Sequence, residues 1–392
     1  MVCRFEEKIK ELIQKRILII LALVSTVIAI IIRSVLINEV SGDMEVFLIP
    51  WYNTIKENGG LLSLKYNVGN YNILYQEIIA LLTYLPVNPV YLYKFVSFCG
   101  DFLLAVGVSG LVYYVDNSPV KRVLSYALTL NLPMVFLNSA MWGQCDSLYV
   151  SLCVFTLLYC FKRKYVAAML LYGLSFALKL QSIFMLPFLL LIWIRTKNFS
   201  LCYFIIIPIV MIVTSALAVL QGRNIFDVFS IYSVQTTLNT EISMGYPSFW
   251  NTFAANNSGD YFEILKPLAI WFTVIVLSVI CGVSILSKKK WNLSFEIEMC
   301  FLLTYSVVLF LPTMHERYDY LYVILSIIVS FIDIKMILVA IGLEYINLNT
   351  YGIYLFHSKA NWNNLMIINY LCYVLCVGLI IYSYKKIKRT ES

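Results

Sequence analysis

Charge is scarce in this sequence. Asp, Glu, Lys and Arg account for 13% of its 392 residues, whereas apolar types account for 61%. Soluble domains carry roughly 25% charge, and no water-soluble fold of this length could hide so much apolar surface. The chain also lacks sustained period-2 alternation, which excludes a membrane β-barrel. It shows no internal repeat, and that weakens a transporter reading, because many transporters are built from two similar halves. Its ten Cys show neither zinc spacing nor a secreted disulfide framework; most sit inside apolar runs, where they read as small packing residues. No glycine-rich phosphate loop is present, and no compact acidic cluster that would hold a metal. The first apolar run is too long for a cleavable signal and no small-residue cleavage site follows it.

What is abundant is span-length apolar sequence. The runs 17–32, 205–220 and 270–286 are nearly free of charge and approach or reach the roughly 20 residues that a crossing helix needs. In hydrocarbon every backbone N–H and C=O must be satisfied within the segment, so these runs must be helices. Most of the 29 basic residues cluster between the runs, at 4–16, 121–122, 162–164, 195–197, 288–290, 335 and 385–389. That is the positive-inside pattern. It predicts both termini in the cytoplasm, and it explains the net charge of +7 by topology rather than by nucleic-acid binding. The expected architecture is a single all-α polytopic membrane domain over 1–392, with about twelve transmembrane helices (roughly 10–14).

The first helix is expected over 17–37. A first external loop follows over 38–90, with interfacial amphipathic helices at 47–58 and 72–84. The second helix covers 91–115, and the third ends near 138. Residues 138–146 then form an external turn. The stretch 165–194 lies between two basic clusters and is too short for two full spans at about 1.5 Å per residue. It reads as two short helices broken around 179–182, lining a cavity. A helix over 199–220 leads to a second external loop over 221–266, which contains Gly245-Tyr246-Pro247 and the polar run 256–259. Later helices end near 312, 335 and the C-terminus, with a polar loop at 358–364.

Four polar places interrupt the apolar background. Asp43, just beyond the first helix with Glu45 close by, reads as either the N-terminal cap of an interfacial helix or a partly desolvated general base. Trp142, Gln144 and Asp146 form a short polar turn; Trp142 suits an aromatic belt, while Gln144 and Asp146 suit sugar hydroxyls. Lys179 and Gln181 mark the helix break. A Lys in an apolar stretch is expensive and needs a partner, such as Asp101, or an anionic ligand. His315, Glu316, Arg317 and Tyr318 lie just after a helix ending at Leu311-Pro312, and Arg is well suited to bidentate phosphate contacts.

Taken together, an Asp in the first external loop, WGQxD at 142–146, KLQ at 179–181 followed by LP, and MHERY at 314–318 resemble the bacterial polyprenyl-phosphate-sugar-dependent glycosyltransferases of the GT-C superfamily. The nearest branch is the mannosyltransferase-like group related to the glycosylphosphatidylinositol mannosyltransferase. The resemblance spans roughly 17–335; MHERY and WGQxD carry it, and Asp319 departs from the aromatic that commonly follows the Tyr. It implies an active site on the external face, a polyprenyl-phosphate-linked sugar donor and a glycan or glycolipid acceptor. It also implies Asp43 as catalytic base, with Glu45 as the fallback. Mechanistic reasoning then places Arg317, with His315 and Lys179, on the donor phosphate and leaves Glu45, Trp142, Gln144, Asp146, Gln181, Glu316 and Tyr318 for sugar or acceptor. The expected reaction is a single inverting displacement that moves a hexose without metal or other cofactor. The competing readings are a transporter or flippase, which needs polar sites near the bilayer midplane, and a polymerase or ligase for lipid-linked glycans.

Overall fold

The computed structural model describes residues 4–237, 241–254 and 261–387; the polar run 256–259 and the basic pair at 388–389 lie outside them. The fold is an all-α polytopic membrane protein. Its helices are α1 (Arg4–Leu36), α2 (Ile49–Glu57), α3 (Ile73–Leu82), α4 (Pro89–Asp116), α5 (Pro119–Asn131), α6 (Pro133–Phe136), α7 (Asp146–Phe161), α8 (Tyr165–Leu178) and α9 (Leu186–Thr196). They continue as α10 (Ile206–Thr214), α11 (Ala216–Leu220), α12 (Asp227–Thr237), α13 (Asn251–Ala254), α14 (Phe262–Leu286), α15 (Leu293–Phe310), α16 (Tyr320–Ile332), α17 (Ile337–Phe356) and α18 (Trp362–Lys386). Among the described residues six helices are long and apolar enough to cross a membrane, or seven when the bent α5–α6 segment is one span. Several shorter apolar helices, α7, α8 and α16 among them, complete the bundle.

The helix boundaries follow from local chemistry. Asn88 accepts a hydrogen bond from the Val90 amide, and Pro89 opens α4, where its missing N–H costs nothing. Ser118 caps α5 through the Lys121 amide, Asn292 caps α15 through Phe295, and Asn361 caps α18 through Asn364. Pro133 cannot continue the ladder of α5, so the chain turns by 44° there. The expected break at 179–182 falls at Lys179, whose extended backbone (φ −153°, ψ 133°) separates α8 from a 3₁₀ turn over Leu180–Met185. The helix expected over 199–220 is instead a 3₁₀ turn followed by α10 and α11, divided at Ser215. There the Ser215 hydroxyl bonds back to the Met211 carbonyl, a pattern that bends helices.

α4 lies at the centre of the bundle, packed against α5 and α7; α7 packs on α8, and α8 on α10. α15, α16, α17 and α18 form the second group, packed in sequence, and α16 also touches α4. Lipid-facing side chains are apolar: Ile20, Leu23, Val27 and Ile31 on α1 and Trp271, Ile275 and Val279 on α14 are all exposed. Two buried charges have close polar partners. Arg33 of α1 reaches Asp101 of α4 at 2.7 Å. Lys94, fully buried, donates to the carbonyls of Leu36, Ile37 and Glu39 at 2.9, 3.0 and 2.5 Å. It thereby ties the last carbonyl of α1 to two in the segment that follows, just before Asp43.

Candidate active site

Five separate segments meet at one end of the bundle, where α1, α8, α15 and α17 end and α7 begins. The turns at 121–122, 162–164 and 335 lie at the opposite end. A one-turn π-helix over Met44–Leu48 follows Asp43. Another, Leu137–Trp142, ends at Gly143 in the left-handed region (φ 77°). A side chain at Gly143 would meet the Met44 sulfur at 2.7 Å. Glycine here therefore serves two ends: the backbone conformation is one that L residues avoid, and the two π-helical turns touch across it. Ser41 ties them further, its hydroxyl donating to the Trp142 carbonyl at 2.7 Å.

Asp43 sits at the centre, 8% exposed. Its Oδ2 accepts from Trp142 Nε1 at 2.9 Å, from Gln144 Nε2 at 2.7 Å and from Arg317 at 3.5 Å. Its Oδ1 accepts from the Tyr354 hydroxyl. Asp43 has helical backbone angles and makes no capping hydrogen bond, so the cap alternative is set aside. Trp142 is fully buried and lies flat against Tyr354, ring centroids 4.4 Å apart, so it is no belt anchor. Gln144 is itself aimed by Tyr71, whose hydroxyl donates to Oε1 at 2.7 Å. Burial, foremost, raises the Tyr71 phenol well above its ordinary value, which keeps it a donor.

Arg317 joins the carboxylates. Its guanidinium lies 3.5 Å from Asp43, 3.7 Å from Asp146 and 3.3 Å from Glu316, and stacks over Trp142 at 4.9 Å. Lys179 pairs with the other oxygen of Asp146, not with Asp101, which Arg33 already occupies. The reason is the break at Lys179, which turns that residue toward the start of α7. Asn138 holds Asp146 at 2.8 Å and meets Tyr351 of α17 at 3.1 Å. Burial acts to raise the Glu316 carboxyl, but the His315 hydrogen bond and the Arg317 charge outweigh it and hold it below the ordinary glutamate range. Burial likewise opposes the charge on Arg317, yet Asp146, Glu316, Tyr71 and Asp43 raise it well above its ordinary value. Arg317 therefore stays cationic.

The 314–318 segment is pinned from outside. Met314–His315 pairs in parallel with Ser243–Met244 as a two-residue ladder, and Gly245 (φ 81°) leaves room for the Glu316 carboxylate, whose Oε2 would lie 3.1 Å from a Cβ there. His315 lies 3.7 Å from Glu316 and packs on Tyr318 at 5.1 Å. Burial, above all, pushes the Tyr318 phenol up to about 12, and the phenol contacts Gln181. The buried Oε1 of Gln181 has no hydrogen-bond partner among the described residues. Asp319 turns away from the cluster, accepting from Asn347 of α17 at 2.8 Å.

The structure thus gathers Asp43, Trp142, Gln144, Asp146, Lys179, Glu316 and Arg317, with His315, Tyr318 and Gln181 beside them. Glu45 is exposed, and among the described residues no hydrogen bond or ion pair joins its side chain to the group: two positions after Asp43 in a helical segment, it lies on another face. Tyr71, Asn138, Tyr351 and Tyr354 were not anticipated from the sequence. Tyr is common in this chain, and α17 lies beyond the stretch that carries the motifs, so only the WGQxD neighbour Asn138 left a signal.

Formally the group sets three carboxylates against two fixed cations. Among the described residues no group of three or more His, Cys, Asp or Glu side chains is arranged to hold a metal ion.

Comparison with curated proteins gives no match. Residues 69–195 match the model of the MptA_B family, described as alpha-(1->6)-mannopyranosyltransferase, N-terminal domain. The matched stretch contains Tyr71, Asn138, the WGQxD residues, Lys179 and Gln181, and it ends before the segment that carries Arg317. Over that stretch the chain is similar to the alpha-(1->6)-mannopyranosyltransferase family, and with its apolar helices this supports a mannosyltransferase-like glycosyltransferase embedded in the membrane.

Proposed function

We propose that the protein is an inverting GT-C glycosyltransferase that moves a hexose, with mannose the first candidate, from a polyprenyl-phosphate donor to a cell-envelope glycan or glycolipid. The observation that carries this reading is the joint position of Asp43 and Arg317. A carboxylate and a permanent cation lie 3.5 Å apart at the bundle end away from the basic turns. The positive-inside rule assigns that end to the extracytoplasmic face.

In this mechanism the acceptor hydroxyl attacks the anomeric carbon and gives its proton to Asp43. The bond from the anomeric carbon to phosphate oxygen breaks, and polyprenyl phosphate leaves. Arg317 stabilises the charge that grows on that phosphate, with His315 and Lys179 completing the positive side. Gln144 and Asp146 bracket the sugar, and Gln181, whose buried acceptor is unpaired among the described residues, suits a sugar hydroxyl. A monophosphate leaving group needs no metal to neutralise it. The crowding of polar residues at one end favours an enzyme over a transporter, which needs a site near the midplane.

The test is purified protein with a panel of short-chain polyprenyl-phosphate sugars, scored for sugar release and transfer. Asp43→Asn is expected to fold and bind donor but to lose at least about 10²-fold in rate, the lower range for general-base catalysis. A near-normal rate in that variant rejects Asp43 as base.

A further inference from the structure

The two oxygens of Asp43 are not equivalent. A carboxylate oxygen offers about two lone-pair positions. Oδ2 already faces three donors, Trp142, Gln144 and Arg317. Oδ1 faces one, the Tyr354 hydroxyl. A proton taken from an acceptor must therefore arrive at Oδ1. Tyr354 comes from the last turn of α17 and is 41% exposed, so its ring stands on the rim, between Asp43 and the open side. It is held there by its stack on Trp142, not by any other hydrogen bond among the described residues. What it presents to Oδ1 is an O–H on a carbon, the same group that an alcohol acceptor brings.

Resting on the reading of Asp43 as base, we infer that Tyr354 is a positioning residue that occupies the acceptor-hydroxyl place at Asp43 Oδ1, keeping water from that oxygen until an acceptor alcohol displaces it. The unwanted reaction it suppresses is hydrolysis. Water would attack the anomeric carbon, its proton would pass to Oδ1, and the bond to phosphate oxygen would break to give free sugar and polyprenyl phosphate. Excluding water from a site that handles a reactive sugar donor prevents such side reactions. The phenol does this without filling the acceptor site permanently, because a rim side chain can rotate away.

The experiment uses the full chain in detergent with short-chain polyprenyl-phosphate mannose and no added acceptor, and measures release of free mannose. Tyr354→Phe keeps the ring on Trp142 and removes only the hydroxyl, so folding should be preserved; Tyr354→Leu removes the ring as well. Both variants should release mannose faster than wild type, by on the order of tenfold, the scale of one hydrogen bond to a charged group. Adding Asp43→Asn to either should abolish the gain. Release at or below the wild-type level in both variants, undetectable release included, overturns the inference and leaves Tyr354 a support for Asp43. If release rises in both variants and persists with Asp43→Asn present, the water does not use Oδ1, which also overturns it. Unimpaired transfer by Asp43→Asn alone identifies the separate failure of the base assignment.

Discussion

Arg317 illustrates how one residue can hold several weak contacts instead of one strong one. It faces three carboxylates at 3.3 to 3.7 Å, all longer than a close charge-assisted hydrogen bond, and so keeps donors available for a ligand. Lys would supply the charge without the planar fork. Arg317→Lys is therefore expected to lower donor affinity and rate together, by about tenfold or more in kcat/KM; a change confined to the acceptor KM would remove Arg317 from the donor phosphate. Glu316 makes a different prediction. Its folded carboxyl lies below the ordinary value near ~4.3, so the stability it contributes is fully present above that value and is lost only as pH falls through the lower folded one. The destabilisation by Glu316→Gln should therefore still be present when pH has fallen to the ordinary value near ~4.3 and fade only below it; an effect on melting temperature already lost at that pH would contradict the depressed carboxyl.

At the scale of elements, the site depends on how helices stop. Lys94 collects the last carbonyl of α1 and two from the segment after it, and Asp43 follows within a few residues. Lys94→Met removes the charged donor shared by these part-buried carbonyls, of which Leu36 keeps the Glu39 amide, at ~1–3 kcal/mol in total before relaxation. A lowered melting temperature and slowed transfer should appear together. A stable, fully active variant would show that the end of α1 does not position Asp43. Gly143 is the second such point. Gly143→Ala meets both a left-handed backbone and the Met44 sulfur at 2.7 Å, and is expected to cost on the order of 1–3 kcal/mol and to slow transfer with little effect on donor binding, which a binding titration separates.

For the whole molecule, the central claim is sidedness. Lys65 follows α2, on the side of the site, and Lys164 lies in the basic turn between α7 and α8; both are exposed. In a chain whose native cysteines are replaced, a membrane-impermeant thiol reagent applied to intact cells should label Lys65→Cys and spare Lys164→Cys. The reverse pattern would put the site inside the cell. The second group of helices also matters to the site as a unit, since α17 delivers Tyr351 and Tyr354 to residues that precede α8. Truncation before α17 should therefore abolish transfer even where the remaining helices insert, as judged by protease protection.

The scarcity of charge and the placement of Lys and Arg determined, from the sequence alone, that this is a helical membrane protein, because unpaired backbone groups and exposed charges are both costly in hydrocarbon. Asn88, Ser118 and Pro133 set helix ends by acting on backbone groups next to them, yet the sequence alone reads the third helix as running on past Pro133. The short motifs around Asp43, Trp142, Lys179 and Arg317 were also legible as polar interruptions that lipid would not tolerate without a reason. Partners were not. That Lys179 pairs with Asp146 and not Asp101, that Trp142 is buried, that Glu45 is left outside and that Tyr354 reaches Asp43 across 311 positions depend on how broken helices are packed. Local chemistry decides where a helix stops, but only the packing of distant segments decides which side chains its ends will meet.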